Sequence, residues 1–165
     1  MIVVSNSSPL ISLFRAGLLE LLPHVFGRVH IADEVHREVV VLGAGRPAAE
    51  AVGAAPWIEK HGPADVAVLA SLRALHPLGS GELATVLLAQ SMKADLAIID
   101  ERAARRWAQA GGLAVIGCVG VIETGFRRGL VPDLRESYLT LLAQGTRIDR
   151  HILNRSLAAC GLPSL

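Results

Sequence analysis

Aromatic residues are scarce in this chain: three Phe, two Trp and one Tyr make up 4% of it. A platform that stacks single-stranded bases needs more of them. Cysteine is scarcer still. Cys118 and Cys160 stand far apart, without the close pairing a zinc site uses, and a reducing, cytoplasmic compartment is the expectation. The six histidines are scattered, none at ligand spacing from a Cys or another His, and they read as structural or surface groups. No apolar run reaches the ~18–20 residues of a transmembrane helix, so no membrane is expected as a partner. Met1-Ile2-Val3-Val4-Ser5 lacks a basic stretch and a cleavage signal, so no secretory leader is expected. Net charge is nearly absent as well: 16 Lys+Arg against 15 Asp+Glu leave +1. That excludes a histone-like polycation, which holds nucleic acid by bulk electrostatics. No fixed-period repeat, P-loop, G-x-S-x-G or aspartyl-phosphate motif is found.

What is present suits one folded domain. The chain has 165 residues, 52% hydrophobic and 19% charged; domains commonly run ~100–200 residues. The small net charge hides a division. Residues 1–100 carry seven basic and ten acidic groups, whereas residues 101–165 carry nine arginines and five acids.

Ile2-Val3-Val4 is a short run of β-branched residues followed by Asn6-Ser7-Ser8-Pro9 and a helical pattern from Leu10. Ser7 or Ser8 suits the cap of that helix and Pro9 its first turn. Val29-His30-Ile31 predicts a second strand, with Asp33 capping a helix behind it. Trp57-Ile58 suits a short extended piece. Helices are predicted over 64–75, 82–89 and 102–110, and strands over 96–99 and 113–116. After Gly117 come helical segments near 119–128, 133–144 and 149–160. Apolar strands without polar alternation, separated by helices, indicate a parallel sheet covered on both faces. The fold class is therefore α/β: a Rossmann-like, three-layer α/β/α arrangement with four or five parallel strands.

In such sheets, ligands bind beyond the carboxyl ends of the strands. Asn6 follows the first strand, and Asp100 and Glu101 follow the strand 96–99. Glu82 opens an otherwise apolar helix behind Gly79 and Gly81. Glu38 lies one helical turn after Glu34. Each also has an ordinary role: Asp100 and Glu82 suit helix starts, and Glu38 suits a solvated face. Carboxylates gathered at one edge repel each other unless a cation neutralises them. Hard oxygen ligands of this kind suit Mg²⁺ or Mn²⁺, which can orient and deprotonate a water for attack on phosphorus.

Taken in order, several segments resemble the PIN-domain superfamily of metal-dependent ribonucleases, in particular one bacterial and archaeal branch. They are Val4-Ser5-Asn6-Ser7-Ser8-Pro9-Leu10-Ile11, then Ile31-Ala32-Asp33-Glu34-Val35-His36-Arg37-Glu38. Gly81-Glu82-Leu83-Ala84-Thr85-Val86 and Leu96-Ala97-Ile98-Ile99-Asp100-Glu101-Arg102 come next, then Val115-Ile116-Gly117-Cys118. The resemblance spans nearly the whole chain. It implies a single PIN-like domain over 1–165, with 117–165 forming C-terminal helices. It places metal-site acids at Glu38, Glu82 and Asp100, with Glu101 as an auxiliary. The family's first metal-site residue is an Asp after strand one; Asn6 stands there instead. An amide oxygen can ligate or orient, but it adds no negative charge and cannot act as a base.

The resemblance further implies an RNA-cleaving toxin of a type II toxin–antitoxin pair, dependent on Mg²⁺ or Mn²⁺, neutralised by a small antitoxin protein and forming a homodimer. The alternative is a PIN-fold nucleic-acid-binding module with little or no catalysis, which Asn6 motivates. Leu139, Leu141, Leu142, Ile152, Leu153 and Leu157 suit either a dimer interface or core. Arg102, Arg105, Arg106 and Ser7 are the candidates for holding RNA phosphate, with Arg102 nearest the acidic edge. A solvated helix face explains the arginines equally well. Finally, Val39-Val40-Val41-Leu42 before Gly43-Ala44-Gly45-Arg46-Pro47-Ala48 matches a dinucleotide-binding fingerprint, a weak signal in a chain rich in Gly and Ala.

Overall fold

A computed structural model describes residues 1–165. Five strands form one sheet: β1 (Val3–Ser5), β2 (Val29–Ile31), β3 (Ile58–Lys60), β4 (Leu96–Ile98) and β5 (Val115–Ile116). Their order is β3-β2-β1-β4-β5, and every pairing is parallel. The chain therefore lays down β1, β2 and β3 in one direction across the sheet. It then returns to place β4 on the other side of β1. The reversal falls between β1 and β4, whose partners are Val3↔Leu96, Val4↔Ala97 and Ser5↔Ile98. Open α/β sheets form their ligand crevice at such a switch point.

Strand alternation explains the layers. Val3 and Ile98 belong to one buried cluster with Leu10, Ile31, Ile122 and Tyr138. Val4, Ala97 and Ile99 belong to another, with Leu83, Val86 and Ala104. Neighbouring side chains on a strand point to opposite faces, so a continuous apolar run feeds both clusters. Helices α1 (Ser7–Arg15), α2 (Leu21–Phe26), α8 (Cys118–Arg127), α9 (Leu134–Ala143) and α10 (Arg150–Ala159) contribute to the first cluster. Helices α6 (Ser80–Ser91) and α7 (Arg102–Ala110) supply the second. Leu141, Leu153 and Leu157 are fully buried in the core, so of the C-terminal positions considered for an interface only Ile152 is exposed. The opposite holds for α5 (Val66–Leu75), which buries none of its residues and exposes Val66, Val68 and Leu75. No helix is long and apolar enough to cross a membrane.

Two local departures from the sequence reading matter for the site. The first is at the helix starts. Asn6, not Ser7 or Ser8, occupies the N-cap position of α1, and Ala32, not Asp33, that of α3 (Asp33–His36). Glu101 caps α7 by accepting from the Ala103 amide, so Asp100 is not the cap. The second is the continuation of α3 as a π-helical turn over Arg37–Val41, closed by a 2.8 Å bond from the Leu42 amide to the Arg37 carbonyl. Val39–Val41 is thus helical. The dinucleotide fingerprint fails, because it requires a strand before its glycines. Residues 43–46 form turns that lead into α4 (Pro47–Ala54).

Candidate functional site

β1 and β4 end side by side, which places Asn6 and Asp100 at the switch point. The Asn6 amide donates to the Ile98 carbonyl at 3.0 Å, tying the two strand ends together. Asn6 is only 3% exposed, yet its side chain makes no capping bond to α1. Its carboxamide thus stands at the sheet edge without the ordinary task its position offers. Asp100 Oδ1 accepts from the Cys118 amide at 2.7 Å, which clamps the end of β4 to the start of α8. Burial pushes the Asp100 carboxyl above its ordinary range, opposed by that hydrogen bond and by the charge of Arg105. The same burial, with Asp100 adjacent, pushes the Cys118 thiol up, so it stays a neutral thiol.

Glu38 comes from the π-helical turn and reaches across to two helix starts. Ser7 Oγ donates to Glu38 Oε2 at 2.5 Å, and the Gly81 amide donates to Oε1 at 3.2 Å. Ser7 therefore positions a carboxylate; as a phosphate contact it is already engaged. Glu82 folds back at the start of α6, where Oε2 accepts from the Gly79 amide at 2.9 Å. This is the helix-start role anticipated for it, and it leaves Oε1 without such a bond. Burial raises the Glu82 carboxyl; the Gly79 bond opposes, and the charges of Glu101 and Glu38 add to the rise. Glu82 thus sits close enough to Glu38 and Glu101 to feel the charge of each.

Two glycines make this arrangement possible, and neither was assigned that role from the sequence. A Cβ on Gly81 would collide with the Glu38 carboxylate, with Oε2 at 2.7 Å. A Cβ on Gly117 would stand 2.7 Å from Asp100 Oδ1 and 2.9 Å from Arg105 Nη1. In hindsight the signal was their placement directly before Glu82 and before the helix that Asp100 clamps.

A groove of about 1130 Å³ runs along this edge. Glu82, Asp100 and Glu101 line one side, with Arg102 and Arg105 beside them. Arg147, His151 and Arg155, from α10 and the loop before it, line another. Arg15 contributes from the end of α1. Arg105 is partly held in place, donating to the Ile99 carbonyl at 3.1 Å. Arg106 is exposed and does not border the groove. Arg102 and Arg106 share a helix face by spacing, but the groove meets the neighbouring stripe carrying Arg102 and Arg105.

The oxygens of Glu38, Glu82 and Asp100 do not all lie within 4.8 Å of one another. Carboxylates of like charge, partly removed from water, keep apart until something neutralises them. Their spread suits a hard cation that retains several waters and binds through one or two carboxylates. Charge, oxygen donors and the idle Asn6 amide all fit Mg²⁺ or Mn²⁺; a compactly ligated ion they do not fit. The single group of His, Cys, Asp or Glu that does converge within 4.8 Å is His30, Glu59 and His61. That corrects the view of the histidines as unrelated: β2 and β3 bring two of them together.

Comparison with known proteins bears on the whole chain. The profile of a family described as a PIN domain matches residues 2–161. No curated protein and no solved structure matches the chain.

Proposed function

Because the chain belongs to the PIN-domain family, a nuclease-type fold, we propose that it is a metal-dependent endoribonuclease in which residues 1–165 act as one PIN-like domain. The observation that carries this reading is the juxtaposition at the β1/β4 switch point. Partly buried acids with raised carboxyl groups border the same groove as Arg102, Arg105, Arg147 and Arg155.

Each residue has a definable task in this reading. Asp100, Glu82 and Glu38 hold the cation, with Glu101 at the rim and Asn6 supplying a neutral oxygen. When bound, Mg²⁺ or Mn²⁺ supplies Lewis-acid stabilisation for hydrolysis of an RNA phosphodiester. Asp100 stays in place because the Cys118 amide fixes one oxygen, and Glu38 because Ser7 and Gly81 fix both of its own. Arg102 and Arg105 offset the charge of the incoming phosphate, and Arg147 and Arg155 bind the strand further along the groove. In the same reading the protein is a type II toxin. A small antitoxin silences it and two copies pair, and the exposed apolar positions of α5 are the surface available to such contacts.

A second reading rests on Asn6. With a neutral amide where the family expects Asp, the site has one charge fewer to hold a cation, and the chain would bind nucleic acid without cutting it. Cleavage of a mixed RNA pool in Mg²⁺ and in Mn²⁺ separates the two readings, with Asp100→Asn as the control. Metal-dependent cleavage lost in Asp100→Asn supports the nuclease. If wild type cuts no faster than the variant in either metal, the nuclease reading is refuted. Asn6→Asp then adds a charge and is expected to tighten metal binding; no gain would remove Asn6 from the site.

A further inference from the structure

We propose that His30, Glu59 and His61 form a second metal site, separate from the acidic edge, that takes a borderline transition-metal ion, Zn²⁺ foremost. The proposal goes beyond the nuclease reading and does not depend on it.

The sheet register builds the cluster. His30 on β2 and Glu59 on β3 are direct partners in a parallel pairing. Residues two apart on an extended segment share a face, so His61 joins Glu59. Val29 and Ile31 flank His30 and are fully buried in the main core, so His30 projects from the opposite side. All three residues are partly buried. Their ligand atoms lie within 4.8 Å of one another. His30 Nδ1 and His61 Nε2 are 2.9 Å apart, and His61 Nε2 is 3.7 Å from Glu59 Oε1.

Those distances bracket what a tetrahedral ion requires. Zn–N bonds of about 2.0–2.1 Å at the tetrahedral angle put neighbouring donors about 3.3 Å apart. The two imidazole nitrogens need to part by about 0.4 Å, and Glu59 to approach by as much, both within side-chain freedom. The carboxylate is already aimed. Arg28 Nη1 donates to Glu59 Oε2 at 2.8 Å, leaving Oε1 turned toward His61. Outer partners that orient a ligand in this manner are common around zinc. Burial also lowers the pKa of His30, which favours the neutral ring that ligates. Two imidazoles and one carboxylate select Zn²⁺ and its neighbours over Mg²⁺, which prefers oxygen alone. Three protein ligands leave a fourth position open.

The location says what the ion would do. β3 is three residues long, lies at the sheet edge and pairs only with β2. An ion bound by one residue of β2 and two at β3 fastens that edge to the sheet.

The test is Zn²⁺ titration of the full chain by calorimetry, in millimolar Mg²⁺ to occupy the acidic edge, with Co²⁺ absorption as a second readout. One Zn²⁺ per chain, a raised melting temperature and tetrahedral Co²⁺ bands are expected. His61→Gln and His30→Gln are each expected to weaken Zn²⁺ binding at least tenfold and to lose the Co²⁺ bands. Asp100→Asn is expected to change neither. Circular dichroism of the metal-free variants shows whether they fold; if one His variant does not, Glu59→Gln serves in its place. No Zn²⁺ binding by the wild-type chain overturns the proposal. So does binding that survives in the folded His or Glu variants, which would put the ion elsewhere.

Discussion

Replacing Gly81 with Ala separates the geometry of the site from the stability of the fold. The added methyl would sit 2.8 Å from the Glu38 carboxyl carbon, 2.7 Å from Oε2 and closer still to Oε1, where 3.4 Å begins ordinary contact. The carboxylate must therefore retreat by at least about 0.7 Å, the shortfall at Oε2, and by more at Oε1. It can do so, because it is the end of a flexible side chain and not backbone. Stability is pulled two ways. Glu38 loses its hydrogen bond from the Gly81 amide, a loss of about 1 kcal/mol. Against that, Ala is favoured over Gly within a helix by about 0.5–1 kcal/mol, less here in the first turn of α6. The net change in unfolding free energy is expected to stay within about 1 kcal/mol of zero. Activity should respond far more, since misplacing a group by about 1 Å can cost on the order of 100-fold. We expect a roughly 10- to 100-fold fall in metal-dependent RNA cleavage, measured with a fluorogenic RNA beside urea unfolding. The effect should nearly vanish in a Glu38→Gln background, because both changes act through one carboxylate. Wild-type cleavage by Gly81→Ala, or full additivity with Glu38→Gln, would refute the placement of Glu38 at the site.

Other consequences are equally direct. Asp100→Asn keeps an acceptor for the Cys118 amide while removing a partly buried charge, so cleavage should disappear without a drop in melting temperature; a destabilised variant would contradict this. Burial raises both Glu82 and Asp100 in the folded protein, so their stabilising contribution is complete below about pH 4 and declines as pH rises through the raised values. In EDTA, the stability of a Glu82→Gln/Asp100→Asn variant relative to wild type should therefore increase as pH rises from about pH 4 in urea titrations; a decrease would reverse the argument. Arg147→Glu and Arg155→Glu should each weaken RNA binding and reduce its salt dependence by about one counterion, whereas Arg106→Glu should change neither in filter binding across a salt series. Tyr138 bonds Ser156 at 2.6 Å, and Ser156 in turn donates to Glu123 at 2.6 Å. Tyr138→Phe breaks this partly buried chain and should cost about 1 kcal/mol in chemical unfolding, with no loss of cleavage.

The sheet was legible because its strands are apolar on both faces: Val3-Val4 and Ala97-Ile98-Ile99 could scarcely be anything but buried parallel strands. Asp100 was legible for the same reason, as a carboxylate placed directly after such a run. What escaped depended on contacts distant in sequence. His30 and His61 meet only through the register of β2 with β3, which no spacing along the chain reveals. Arg147 and Arg155 reach the groove only once the C-terminal helices close over it. That Arg106 lies off the groove was not legible either, because helical periodicity relates residues to one another and leaves the rotation of the helix undetermined. The N-cap of α1 fell one residue early because Asn6, Ser7 and Ser8 are all cap-type residues, although Asn6 makes no side-chain capping bond there. Packing chose among them, and it gave Ser7 to Glu38.

The wide turn that carries Glu38 has an implication for change in length. A π-helical segment contains one residue more than an α-helix of the same rise would need. Arg37–Val41 is thus one residue out of phase with the helix before it. Removing the single residue before Glu38, Arg37, would return the segment to α-helical phase and rotate Glu38 by about 100° relative to the helix before it, with little harm to the helix itself. The harm would fall on the reach of Glu38 toward Ser7 and Gly81. In this region of the chain, a deletion that a stability measurement scarcely notices would dismantle the acidic edge.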